Sequence, residues 1–122
     1  MNRLQHFLRA QTQYNLHSPF VYSLYTEVLF SRCPDGAPQG RGYKAILWRL
    51  EHHYGVSATR FGGNATLSTS DGDFLVVDHP HREEPRWQNI IDSAHYRVTI
   101  DLFSVGIAVA NPRLSKQHFL LR

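Results

Sequence analysis

The chain holds one cysteine, Cys33, among its 122 residues. Neither an intramolecular disulfide nor a cysteine-based zinc site can form within it, so a disulfide-built secreted module is excluded. No apolar run approaches the ~20 residues needed to span a bilayer. The first residues, Met1-Asn2-Arg3-Leu4-Gln5-His6-Phe7-Leu8-Arg9, lack the apolar core of a signal peptide, and the expected location is the cytoplasm. Charge of one sign is also scarce. Thirteen Lys/Arg against ten Asp/Glu leave +3, and no two basic residues are adjacent. The footprint of a dedicated nucleic-acid binder is therefore missing. No internal repeat, Gly-x-x-x-x-Gly-Lys loop, closely paired carboxylates or Ser/His/Asp arrangement is visible.

What is present is ordinary for one globular domain. The apolar fraction is 42% and the charged fraction 19%, close to the average for folded proteins. A domain of this size buries roughly two-thirds of its unfolded surface. Two Trp, six Tyr and seven Phe, spread along the chain, argue against long disordered stretches. Eight His add positive charge below neutral pH.

Periodicity divides the chain into three parts: N-terminal helices over 1–30, a linker over 31–42 and an α/β core over 43–122. Residues 3–12 place Leu4, Phe7 and Leu8 at helical spacing, an amphipathic helix expected to pack on the domain. Ser18 and Pro19 read as an N-cap and a first helical position. Behind them Phe20, Val21, Leu24, Tyr25, Val28 and Leu29 form an apolar stripe. Residues 31–42 are rich in Pro and Gly and read as irregular. A helix over Tyr43–Tyr54 presents Ile46, Leu47 and Leu50, with Gly55 as its stop.

The last third carries most of the pattern. A short edge strand is expected near Ala58–Phe61, followed by a loop to Asp73. Phe74–Val77 is continuously apolar, which suggests burial on both faces as in a parallel sheet. Glu84–Ala94 reads as a helix burying Trp87, Ile90, Ile91 and Ala94. Arg97–Leu102 and Val105–Ala110 read as an antiparallel pair, because their connection is too short for a parallel crossover. Gln117–Leu121 reads as a final strand. The expected fold class is α/β, a small sheet with parallel and antiparallel strands flanked by helices.

Three groups of residues offer chemistry. Asp78-His79-Pro80-His81 follows the buried strand, at the end where α/β sheets bind ligands. Asp78, His79 and His81 are candidate metal ligands; the alternative is that they cap the loop and the next helix. Asp78 and His79, adjacent on an extended chain, are expected to point apart. Gly62 and Gly63, with Asp78, are candidate cofactor contacts, since glycines let a backbone approach a phosphate or nucleoside; the alternative is a plain turn. His52 and His53 end a helix, where they complement its dipole. No catalytic residue is assigned. Arg3, Arg9, Arg41, Lys44, Arg49 and Arg60 are scattered and read as solvated helix faces, so nucleic acid is not the expected partner.

Some of these segments carry a resemblance. Asn15-Leu16-His17-Ser18-Pro19-Phe20-Val21-Tyr22 resembles the opening of a bacterial group of class I S-adenosylmethionine-dependent methyltransferase-like proteins, in which a His-Ser-Pro-Phe-Val helix start precedes a Rossmann-like domain. Tyr43–Tyr54 is similar to the helix that enters its first strand. Phe74–Asp78, the helix with Trp87 and Val98–Ile107 (Val-Thr-Ile-Asp-Leu-Phe-x-x-Gly-Ile) are similar to its closing strand, helix and hairpin. These segments cover about two-thirds of the 122 residues.

The resemblance implies a reduced Rossmann-like methyltransferase fold with an N-terminal helical segment. It places Asp78-His79-Pro80-His81 at an acidic loop near the family's catalytic pocket. Seventeen residues separate Gly55 from Asp73, too few for several strand–helix units of at least ~10–12 residues each. The family's glycine turn and its ribose-binding acid have no matching positions. The expectation is a non-catalytic methyltransferase-like domain that has lost cofactor binding, an interaction or assembly module with a homo-oligomeric or protein partner and no membrane. S-adenosylmethionine is its cofactor only if methyltransferase activity survives. The alternative is a small ligand- or metal-binding enzyme with its site around Asp78, His79 and His81.

Overall fold

The computed structural model describes Asn2 and residues 19–29, 40 and 42–121. The expected helix over 3–12, the Ser18 cap and nearly all of the 31–42 linker lie outside the described residues. The elements that follow are an α/β arrangement around one six-stranded mixed sheet.

Helix α1 spans Pro19–Ser23 and runs on as a π-helical turn over Leu24–Leu29. In that turn the Thr26 hydroxyl donates to the Tyr22 carbonyl at 2.8 Å, a side-chain competitor for a backbone helix bond. Val21, Leu24, Tyr25, Val28 and Leu29 are buried, as their spacing predicts. Helix α2 spans Tyr43–Tyr54 and stops at Gly55, whose φ of 66° is the left-handed geometry that favours glycine. Ile46, Leu47 and Leu50 are fully buried, each stabilising the fold by about 1.5–3 kcal/mol.

Arg49 overturns its reading as a solvated face. It is 8% exposed and its Nη1 donates to the carbonyls of Leu29 at 2.9 Å and Gly40 at 2.7 Å. One buried guanidinium thus satisfies a carbonyl at the end of the α1 turn and another in the segment leading to α2.

The strands are β1 (Thr59–Phe61), β2 (Asn64–Thr69), β3 (Gly72–Asp78), β4 (Val98–Asp101), β5 (Val105–Ala110) and β6 (Gln117–Leu120). Their order across the sheet is β1-β2-β3-β5-β4-β6. All neighbours are antiparallel except β4 and β6, which are parallel. The predicted hairpin of β4 with β5 and the final strand β6 are both present. A 3₁₀ turn over Pro80–Glu83 leads into helix α3, Glu84–Asp92.

Three expectations are corrected. The segment after Phe61 is the strand β2, paired with both β1 and β3. Its Ala65 and Leu67 are buried while Thr66 and Ser68 are not, a period of two that its small polar residues disguise. The apolar strand β3 lies between two antiparallel neighbours. Its apolar run comes from its central place in the sheet, with Phe74, Leu75 and Val76 all buried. Helix α3 also ends before Ala94 and fully buries only Trp87.

Helices cover both faces. Phe74 touches Tyr54 of α2, ring centroids 5.4 Å apart, so the side of Phe74 and Val76 faces α1 and α2. The opposite parity, with Val77 beside Gly106, lies under Trp87 of α3. Most of the core, including Ile100, Ile107, Val109 and Leu121, gathers with α1 and α2. On the α3 side, Asn64 and Thr66 of β2 share the parity of Val77 and Leu75 and are only half-buried. A single nine-residue helix is too narrow for that whole face, and a cleft is left beside it. Among the described residues no helix is long and apolar enough to cross a membrane.

Candidate functional site

The cleft lies where β3 ends. The chain enters β1, turns through Gly62-Gly63 and returns as β2, with Phe61 opposite Asn64. Gly62 has a φ of 58°, as a two-residue hairpin loop demands of its first position. The Asp78 amide donates to the Gly63 carbonyl at 2.9 Å, fixing this turn against the end of β3. Beyond Asp78 the backbone leaves the strand through His79, whose φ is 48°. Its amide donates to the Ser104 carbonyl at 3.0 Å.

That left-handed residue corrects one expectation. Strand alternation would send the Asp78 and His79 side chains apart, but the backbone turn ends the alternation. The His79 ring comes back to Asp78, Nδ1 to Oδ1 at 2.6 Å. Both side chains are a little over one-third exposed. Non-glycine residues with positive φ cost free energy and gather at binding sites and tight turns. The second described example, Phe103 at φ 69°, sits in the β4–β5 turn.

The cleft has a volume of about 370 Å³. The hairpin turn with Phe61 and Asn64 makes one wall, Val77, Asp78 and His79 the end, and Arg82, Glu83, Arg86, Trp87 and Ile90 the other wall. The three residues singled out as cofactor contacts, Gly62, Gly63 and Asp78, line it together, and His79 joins them. The walls are mixed: apolar at Phe61, Val77, Trp87 and Ile90, charged along the rim. Arg86 pairs with Glu83 at 3.1 Å.

His81 is turned elsewhere. Its Nε2 faces Asp101 Oδ2 at 2.5 Å and its Nδ1 faces Glu84 Oε1 at 3.0 Å. The Asp101 side chain is 1% exposed and its second oxygen accepts the Phe103 amide at 2.8 Å. The Phe103 ring stacks on His81 at 5.4 Å. Beside them Thr99 Oγ1 and His118 Nδ1 are 2.7 Å apart. Burial holds the His118 imidazole below its ordinary value, against the opposing pull of the Asp101 carboxylate. His81, Glu84, Asp101 and His118 border a second hollow of about 300 Å³ that shares Trp87 with the first.

Asp78 and His79 therefore face one cleft and His81 the other. Among the described residues no three His, Cys, Asp or Glu side chains are placed to hold a metal ion. The carboxylates of Glu84 and Asp101 lie on opposite ring nitrogens of His81, where no single ion could reach both. His52 stacks on Trp48 at 3.8 Å and His53 meets Tyr54 edge-on, so both are spoken for by aromatic contacts at the end of α2.

Sequence reasoning missed Phe61, Arg82 and Arg86 as cleft residues. Arg82 and Arg86 are four apart, a spacing that puts side chains on one helical face and was available as a signal. Phe61 lines the cleft only because the Gly62-Gly63 turn folds its strand against β2. No family model matches the chain, and neither a curated protein nor a solved structure matches it.

Proposed function

We propose that the chain is a reduced methyltransferase-like domain that no longer holds S-adenosylmethionine and works as an interaction or assembly module. The observation that carries this reading is the pair of neighbours of β3. Open α/β sheets bind nucleotide cofactors in the crevice where parallel strands diverge and helix N-termini point at the ligand. Here β2 and β5, both antiparallel to β3, occupy the two flanking positions. The Gly62-Gly63 turn leads into strand β2 and no helix begins there. A dinucleotide-type anion site has no helix dipole to build on.

The unit β3–α3–β4–β5 supports the descent. It supplies the apolar strand, the helix with Trp87 and the closing hairpin on which the resemblance rests. The assembly role draws on the other edge of the sheet. β1 is an exposed three-residue edge strand, and Phe61 at its end is 52% exposed. Sheet edges and apolar side chains left open are where chains pair.

Calorimetric titration with S-adenosylmethionine and S-adenosylhomocysteine tests the cofactor half. No heat is expected from folded protein, and micromolar binding would sink the reading. Light scattering on the same sample tests assembly. The expected mass is at least twice the 14.1 kDa of the chain; a monomer across the micromolar range would leave self-association without support and confine the module to a different protein partner.

A further inference from the structure

We infer that the cleft between the Gly62-Gly63 hairpin and the 82–90 segment is a binding site for a small aromatic carboxylate. The inference stands apart from the lost-cofactor reading, since either can hold without the other. Its volume of about 370 Å³ falls at the low end for small-molecule sites. That is room for a ligand of one or two rings, and too little for a folded partner element.

The walls select the chemistry. Phe61 offers a large apolar side chain that the described chain leaves 52% exposed. Val77, Ile90 and the buried Trp87 line the same space. A flat apolar ligand laid against Phe61 removes apolar surface from water on both partners, and aromatic pairs gain further from ring geometry.

Charge sets the other end of the ligand. Of the four formal charges at the rim, Arg86 is paired with Glu83, and Asp78 is taken up by His79. Arg82 makes no ion pair among the described residues. One planar guanidinium is left for a ligand, and its forked donors match a carboxylate bidentately. Asp78 and Glu83 stand at the same rim, so whatever repulsion their pairing leaves acts about twice as strongly on a dianionic phosphate as on a monoanion.

The test uses 2-naphthoate as the probe, followed by amide and indole N–H chemical shifts of the full chain. Its neutral isostere 2-naphthamide is the control. Saturable shifts are expected at Gly62, Gly63, Asp78 and the Trp87 indole. Binding should weaken about tenfold for the amide and in Arg82→Gln, the loss of one charged pairing. Phe61→Ser should weaken naphthoate and naphthamide alike. Both positions are exposed, so each variant is expected to keep the wild-type spectrum elsewhere. The inference is overturned by an absence of saturable shifts at these residues, by equal affinity for acid and amide, or by shifts centred on His118 and Leu120 in the neighbouring hollow.

Discussion

At Gly106 the sheet lies directly against the indole of α3. A Cβ placed there would lie 2.7 Å from Cη2 of Trp87, 2.9 Å from Cζ3 and 3.1 Å from Cζ2. All three atoms belong to the outer ring of the indole, which is wedged in place by burial at 4% exposure. Gly106→Ala therefore forces Trp87 or the helix outward, and overpacking of this kind costs about 1–3 kcal/mol. The sign should reverse once the ring is shortened. In a Trp87→Phe background the outer indole atoms are gone, and the remaining effect is the ordinary preference of a strand for Ala over Gly, about 0.5–1 kcal/mol in favour of Ala.

Urea unfolding measures the four proteins of this cycle. With a slope of about 1–3 kcal/mol per molar for small domains, a 2 kcal/mol loss moves the midpoint by roughly 1 M. The single variant Gly106→Ala should fall by that order, and the double variant should match or exceed Trp87→Phe alone. Equal shifts in the two backgrounds would refute the contact as the reason for glycine. So would an unchanged midpoint for Gly106→Ala.

Two further outcomes follow from polar groups that are partly or wholly buried. The Tyr54 hydroxyl donates to Asp71 Oδ2 at 2.7 Å; burial first, then that bond and the carboxylate's charge, push its pKa well above the ordinary tyrosine value. The folded form keeps the proton after the unfolded chain begins to lose it near pH 10. Its contribution is thus full below pH ~10 and declines above it. The stability gap between wild type and Tyr54→Phe should narrow as urea midpoints are taken from pH 8 towards 11; a constant gap would refute this. Arg49→Met strips the donor from the Leu29 and Gly40 carbonyls and should cost about 1–3 kcal/mol. Arg49→Lys should recover part of it, and a wild-type midpoint for Arg49→Met would show these bonds to be idle.

How far the sequence reached depended on the physical kind of signal. Helix α2 was legible to the residue because Ile46, Leu47 and Leu50 mark one face and Gly55 supplies a left-handed stop. The β4–β5 pair was legible because three residues cannot make a crossover. β2 was not, since Asn64, Thr66 and Ser68 mask the alternation of Ala65 with Leu67, although Gly62-Gly63 and Asp71-Gly72 flank it with turn residues. β3 was found but its neighbours were misread: burial on both faces is what a central strand of either sense shows. Arg49 was misplaced because one sequence position carries no mark of the two carbonyls that fold against it.

The candidate site divided along the same line. The motif Asp78-His79-Pro80-His81 held together as text, yet a single residue with φ 48° splits it. Asp78 ends the strand, and with His79 at the turn it faces the cleft. After the turn, His81 serves as a strut that gives the buried Asp101 a partner. The letters behind the resemblance have similar local reasons. Gly106 is small because Trp87 lies on it. Asp101 holds the Phe103 amide and so shapes the tight β4–β5 turn. A helix-bearing Trp and a Val-Thr-Ile-Asp-Leu-Phe-x-x-Gly-Ile hairpin are then requirements of packing α3 on this sheet. They report packing and carry no information on catalysis. Chemistry has to be sought in the side chains that packing leaves free. Phe61 and Arg82, both exposed and on either wall of one cleft, are two such side chains.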